Sequence, residues 1–481
     1  MTSQFRISRR AFLGGASAFV SLGSLGAVDF GEPRLRFGVV TDVHFAYGGG
    51  PGLLKGWSED MFKKSLEWFR DQGVDAVLCA GDIADRGLID EMAAFAKTWF
   101  SVFPDDRRPD GAHVERVFVT GNHDFGGHKI YKGLPRIWPD PVELQKHIMI
   151  DRISEVWKNL FHEDYSKIFM KDVKGYKFIG SMWDKDENAK SAYNSFGTRI
   201  GPFLEANASK LDPGKPFFYV QHPHPKDTCY GPWAWGRDDG GVTATLSKFP
   251  NAVAFSGHSH YSITDERSIW QGAFTSIGAG SLRYVGMPGE DFKNRGGLFK
   301  NFKWIKKSSH GLLVEVYDDK IVYRKMEFLD GMELADAWVQ LLPAAKHAGQ
   351  FDFAARANKF AAPEFPQGAK LSAKKTKAGE LELVIPAVAV KRSARSFALE
   401  IDAVGSDGEK KFRRIMAEGF NRAPDSQLAS APSVVAYAAE DLPAAPVEFT
   451  VTPVNCFGKR GKPISFKTDI VATATKKKET T

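Results

Sequence analysis

Cysteine is scarce: 481 residues contain only Cys79, Cys229 and Cys456. Far apart and odd in number, they make no disulfide framework and read as three mostly buried thiols, with a Cys229–Cys456 bridge as the one pairing left open. Past the N-terminus, no uninterrupted apolar run reaches the roughly 18 residues of a membrane-spanning helix, so the body of the chain is expected to be soluble. No internal repeat of fixed period is present, which speaks against a repeat array. Basic charge is also missing where a polyanion binder would need it. Of the formal net charge of +7, three charges fall in the first 26 residues and six between Lys370 and the end, leaving the intervening stretch at −2. A protein that grips a phosphate backbone concentrates Lys and Arg on its working surface, so nucleic-acid binding is not expected. With 43% hydrophobic and 26% charged residues, the chain has a globular balance, and its length suits two or three domains.

The N-terminus reads as an address. Ser8-Arg9-Arg10-Ala11-Phe12-Leu13, followed by the Gly- and Ala-rich run from Gly14 to Ala27, resembles a bacterial twin-arginine export signal. The resemblance implies a signal peptide over residues 1–27, passage through the twin-arginine translocase, and a periplasmic or otherwise extracytoplasmic destination, membrane-anchored if the signal is not cleaved. Because such substrates cross the membrane folded, it also hints at a metal or other prosthetic group loaded beforehand.

Beyond the signal, buried-strand patterns at residues 35–41, 76–80 and 114–120 alternate with helical spacing over 57–72 and 89–100. A further helix is expected over 142–161, and more strands over 217–220, 252–256, 311–317 and 321–328. This is an α/β domain over residues 33–330. Pro and Gly density rises around 363–368, so 331–367 reads as a linker. Short alternating strands over 381–385, 397–404, 412–416 and 449–454 then predict a β-sandwich over 368–475.

The first three strands each end in a polar cluster: Asp42-Val43-His44, Gly81-Asp82-Ile83-Ala84-Asp85-Arg86 and Gly121-Asn122-His123-Asp124. Two later strands end in Gln221-His222-Pro223-His224 and Gly257-His258-Ser259-His260. Carboxyl ends of strands in an open α/β sheet converge on one crevice, so these clusters are expected to meet. A single Asp-x-His is more often a cap beside a surface histidine, but five clusters after apolar strands are not explained as caps. Carboxylate, imidazole and amide oxygen without thiolate suit Mn, Fe or Zn. Seven candidate donors exceed what one ion takes from a protein, and two ions sharing a carboxylate would lie ~3.5–4 Å apart. His222, directly after its strand, is the preferred donor over His224; His113 and His128 read as surface residues.

The ordered set Asp-x-His, Gly-Asp-x-x-Asp, Gly-Asn-His-Asp, His and Gly-His-x-His resembles that of the calcineurin-like metallophosphoesterases, over roughly residues 35–328. The resemblance implies a two-sheet sandwich flanked by helices. It implies one metal on Asp42, His44 and His260, a second on Asn122, His222 and His258, and Asp82 bridging them. It further implies in-line attack of a metal-bound hydroxide on phosphorus, with His123 as acid towards the leaving oxygen. Asp124 would orient His123, or else cap the following helix. Arg86 either holds a phosphate oxygen, as in the protein Ser/Thr phosphatases of this superfamily, or simply pairs with Asp85. Trp233, Trp235 and Arg237, on a loop between two donor blocks, are candidate substrate contacts, although indoles there also serve to pack the loop. Residues 449–464 are similar to the final hairpin of fibronectin type III domains, which implies an immunoglobulin-like sandwich; its positive charge is either a solvated face or a contact for anionic envelope polymers. The expectation is an exported phosphatase or phosphodiesterase with two metal ions, acting on phosphomonoesters or small phosphodiesters. The alternative is a non-catalytic envelope-binding protein with a structural metal site.

Overall fold

The structure, a computed structural model, describes residues 31–46, 56–230, 236–288, 302–305, 308–389, 395–424 and 426–472. The chain divides into Met1–Pro33 and a unit spanning Arg34–Thr481. The twin-arginine segment and the candidate contacts Trp233 and Trp235 lie outside the described residues. Among the described residues no helix is long and apolar enough to cross a membrane.

Two six-stranded sheets form the α/β part. In the first, β1 (Leu35–Val40), β2 (Ala76–Ala80) and β3 (Glu115–Val119) run parallel. Three antiparallel strands, His310–Val316, Lys320–Glu327 and Met332–Leu341, extend this sheet from β1. In the second sheet, Tyr176–Ser181, Phe217–Val220, Ala252–Ser256 and Thr275–Gly278 run parallel between antiparallel edge strands Ile168–Val173 and Ile269–Gln271. The central strands are mostly apolar because both faces are covered: β2 and Ala252–Ser256 are buried at every position.

Aromatic side chains fill the space between the sheets. Phe37 of β1 sets its ring edge-on to Phe178, Phe218 and Phe255 of the opposite sheet, with centroids 5.0, 4.8 and 5.8 Å away. Outside the first sheet, helix Trp57–Gln72 buries Met61, Phe62, Leu66 and Phe69 at helical spacing, and ends at Gly73 with φ 72°. Helices Ala192–Ala206 and Gly241–Leu246 contribute Phe196, Ile200 and Val242 to the core on the far side of the second sheet.

The structure departs from the sequence expectation in two stretches. The helix expected over 142–161 is two, Pro141–His147 and Ile153–Phe161. Between them the chain turns extended to pair Ile148 with Leu88, and the Met149 N–H donates to the Gly87 carbonyl at 2.9 Å. The stretch 331–367, read as linker, contains the edge strand Met332–Leu341 and helix Phe353–Lys359, with Leu334 and Trp338 in the main core.

C-terminal strands form a three-stranded and a four-stranded sheet, all antiparallel, around a core that includes Leu383, Ile401, Phe449 and Val451. Cys79, Cys229 and Cys456 are buried and free.

Replacing Phe37 with Ala empties the junction of four rings, and a loss of about 3–5 kcal/mol is expected. Chemical denaturation of F37A against the parent measures it.

Candidate metal centre

Backbone geometry at the strand ends points the donor side chains inward. Asp42, His44, Asp82, His258 and His260 all adopt left-handed φ between 50° and 68°. Such a conformation costs a non-glycine residue about 1–3 kcal/mol and persists only where surrounding contacts enforce it. Some of those contacts are ladder-like: Asp42 N–H donates to the Gly81 carbonyl at 3.0 Å and His44 N–H to the Asp82 carbonyl at 2.9 Å. The glycines preceding the donors serve close approach. A Cβ on Gly121 would stand 2.2 Å from Asp82 Oδ1, and one on Gly257 would stand 1.9 Å from Thr41 Oγ1 and 2.5 Å from Asp42 Oδ2.

Two donor groups share one carboxylate. Asp42, His44, Asp82 and His260 bring donor atoms within 4.8 Å of one another, as do Asp82, His222 and His258. His260 Nε2 lies 3.1 Å from Asp42 Oδ1, and His222 Nε2 lies 3.2 Å from Asp82 Oδ2. Asn122 joins the second group, its Oδ1 3.1 Å from His222 Nε2.

Hydrogen bonds on the far side of each ring decide which nitrogen faces inward. His44 Nδ1–H donates to Asp85 Oδ1 at 3.1 Å, His260 Nδ1–H to the Tyr284 carbonyl at 3.1 Å, and His222 Nδ1–H to the Ala80 carbonyl at 2.7 Å. With Nδ1 engaged in this way, each ring turns its Nε2 inward. Yet His44 Nε2 faces His260 Nε2 at 3.2 Å, and His222 Nε2 faces His258 Nδ1 at 3.1 Å and the Asn122 oxygen. Imidazole nitrogens set against one another, with carboxylates beside them, make a cluster that positive charge stabilises, whether a metal ion or a proton. The residues present thus fit divalent or trivalent metal ions of the Mn, Fe or Zn kind, and the donor sets are complete for two.

Electrostatics follow from this crowding. Burial alone would raise the Asp82 carboxyl, but the His222 and His123 imidazoles hold it well below the usual carboxylate range. Burial works against a charged His222, yet Asp82 and Asp42 push its pKa up to about 9. His44 is pushed down to about 4, mainly by burial.

His123 and Asp124 occupy different roles. His123 Nδ1–H donates to the Asp85 backbone carbonyl at 2.6 Å, and its backbone N–H donates to Asp82 Oδ1 at 2.8 Å. Against burial, Asp82 and the Asp85 carbonyl raise its pKa. Asp124 does not orient this ring. Its carboxylate accepts from the backbone N–H groups of Gly121 and Ala84, each at 2.7 Å, and of Ile83 at 3.3 Å, which is the capping alternative. Burial and the Asp82 charge push its pKa up to about 7.

Of the remaining candidates, Arg86 is only 1% exposed, stacks over Tyr131 at 3.9 Å and lies 3.8 Å from Asp85 Oδ2. Arg237 is half-exposed, with Nη1 3.7 Å from Asp227 Oδ1. His224 is buried between Ser256 Oγ and Ser259 Oγ, both at 2.6 Å, and takes no part in either donor group. His113 is exposed beside Glu115, and His128 is half-buried.

Sequence reasoning missed four neighbours of the donors. Asp85 orients His44 by its carboxylate and His123 by its carbonyl. Tyr193 OH lies 3.0 Å from His258 Nε2, and Trp183 packs against His258 and His222 with centroids 5.7 and 5.9 Å away. Tyr284 stacks on His260 at 4.5 Å with an 11° interplanar angle. Asp85 carries a signal in its place within Gly-Asp-x-x-Asp, and Tyr284 in closing the stretch 278–284 that follows the last donors and reads as a candidate rim of the site.

Residues 35–262 match the family model described as "Calcineurin-like phosphoesterase", and this stretch is a calcineurin-like metallophosphoesterase domain. No curated protein matches the chain in sequence. Among solved structures, a dimetal phosphatase from Danio rerio is similar at 13% identity and a TM-score of 0.38, over 64% of this chain and 99% of that one. Purple acid phosphatase PPD1 from yellow lupin (Lupinus luteus) seeds is similar at 13% identity and 0.39, over 63% and 53%. Vacuolar Protein Sorting 29 from Cryptosporidium parvum is similar at 11% and 0.27, over 65% and 97%. Such low scores bear on neither chemistry nor substrate.

Asp85→Ala removes the acceptor that fixes the His44 ring but leaves the carbonyl that holds His123. Metal affinity is expected to fall about 10–100-fold, the range for loss of a partner behind a ligand. Equilibrium dialysis with Zn²⁺ measures it.

Proposed function

We propose that this protein is an exported phosphoesterase that uses two metal ions to hydrolyse phosphomonoesters or small phosphodiesters. The observation that carries the reading is the Asp82 carboxylate shared by two complete donor groups, with imidazole nitrogens converging beside it. Asp42, His44 and His260 would hold one ion, Asn122, His222 and His258 the other, and Asp82 both. When bound, such ions supply Lewis acidity towards a phosphoryl oxygen and lower the pKa of water.

The chain's own groups do the rest. Asp42 is fixed as an acceptor by the Thr41 hydroxyl at 2.9 Å and the His258 N–H at 3.0 Å. His123, tied through Nδ1, has Nε2 left to hold a proton and deliver it to the leaving oxygen. Against burial, Asp82 and the Asp85 carbonyl favour the charged form of this ring. With Arg86 buried, no arginine grip on the phosphate is part of this proposal. The ions themselves supply the positive charge.

Export rests on the resemblance of Ser8–Leu13 and the run after it to a twin-arginine signal, which implies a periplasmic or extracytoplasmic enzyme and the translocase as a transient partner. The three-on-four antiparallel arrangement of the C-terminal sheets supports an immunoglobulin-like sandwich of the fibronectin type III kind. The positive charge of that region is either a solvated face or a contact for anionic envelope polymers.

An aryl phosphate and its bis-aryl diester, assayed side by side with the metal-loaded protein, test the proposal. Turnover of at least one is expected, and His123→Ala should lower it about 10²–10⁴-fold without loss of fold or metal. A loaded protein inert on both substrates, or an undiminished His123→Ala variant, overturns the proposal, and inertness favours the envelope-binding alternative.

A further inference from the structure

The short segment Ser281–Gly286 touches the first donor group from several directions. Ser281 Oγ donates to the Asp42 carbonyl at 3.2 Å, Leu282 N–H to the Thr41 carbonyl at 3.0 Å, and Arg283 N–H to the Asp42 carbonyl at 3.3 Å. The Tyr284 carbonyl accepts from His260 Nδ1 at 3.1 Å, and its ring lies flat on His260 and 5.7 Å from His44. Gly286 N–H donates to the His260 carbonyl at 2.7 Å. Two residues in left-handed backbone, Asp42 and His260, are therefore held by one strap.

That strap is anchored in the C-terminal sandwich. Val285, between Tyr284 and Gly286, is fully buried in an apolar cluster with Phe397, Ala398, Met416, Phe420 and Cys456. The loop leading away from His260 docks on the same surface. The Arg267 guanidinium lies 4.8 Å over the Phe397 ring, and Thr264 Oγ1 lies 3.5 Å from Asn421 Oδ1. Arg395, just before the strand that carries Ala398, donates to the Leu334 carbonyl on the edge strand of the first α/β sheet. Among the described residues nothing comparable reaches Asn122 or His222: His222 meets the Ala80 carbonyl and Trp183, and Asn122 meets His222, all within the α/β part.

We infer that the C-terminal sandwich is a working part of the metal centre: it presses the Ser281–Gly286 strap onto Asp42 and His260 and so sustains the affinity of the first donor group for its ion. The inference rests on the two-metal reading above. It assigns Val285, Phe397 and Phe420 as positioning residues that act through Tyr284 and His260 and touch no substrate.

Mn²⁺ binding to the full chain, followed by equilibrium dialysis with elemental analysis, tests it. The Phe397→Ala/Phe420→Ala variant is expected to bind one of its two ions about 10–100-fold more weakly and the other unchanged. In the His222→Ala background, where the first group is the complete donor set, the same pair of substitutions should weaken the remaining ion. Val285→Ala, which leaves the sandwich intact, should show the same selective loss to a smaller degree. Thr450→Ala, on the exposed side of the sandwich where its hydroxyl meets Ser465 and apart from the strap, should keep both ions at parental affinity. Unchanged binding in the Phe397/Phe420 and Val285 variants overturns the inference, as does an equal loss in Thr450→Ala. A parent chain that binds no Mn²⁺ or Zn²⁺ overturns the two-metal reading instead.

Discussion

The Asp82 carboxylate is the point on which this structure turns. It is buried, lies within reach of His44 and His222, and accepts from the His123 backbone N–H, so one side chain touches both donor groups and the neighbouring His123. Its charge in a nearly dry interior is tolerable only because imidazoles, and the cations they imply, surround it. The left-handed backbone at Asp82, the close approach of Gly121 to its carboxylate and the packing of strands that end together all serve to place this group.

Much of this could be read from residues alone because the relevant signals are local. An apolar run followed by Asp, His or Asn marks a strand end bearing a donor, and five such ends in an α/β chain converge by topology. What stayed hidden acts through groups that every residue owns or through shape. The Asp85 and Tyr284 carbonyls orient His123 and His260, and no residue type announces a carbonyl. Asp124 sat one residue from His123, which suggested an orienting role, but helix geometry sends its carboxylate back to the Gly121 N–H. The strand Ile168–Val173 went unseen because it is an edge strand, half-buried along most of its length without a clear alternation. Met332–Leu341 lies beyond the strands that seemed to complete the α/β domain, and only pairing with Lys320–Glu327 reveals it.

Charge acquires a different meaning once located. The formal excess sits in the N-terminal segment and the C-terminal region, while the donor cluster is acid- and imidazole-rich and would draw positive potential from bound ions that a residue count omits. The C-terminal sheets, for which sequence alone leaves open packing against the catalytic mouth, a spacer role or polymer binding, meet the α/β part through the apolar cluster around Val285, next to Tyr284.

The central claim, that one carboxylate joins two metal ions, is tested most directly by elemental analysis of purified Asp82→Asn and His222→Ala variants beside the parent. The account predicts two ions per chain in the parent, about one in His222→Ala, and weakened retention of both in Asp82→Asn. Two tightly held ions in Asp82→Asn, or loss of only one, would contradict it.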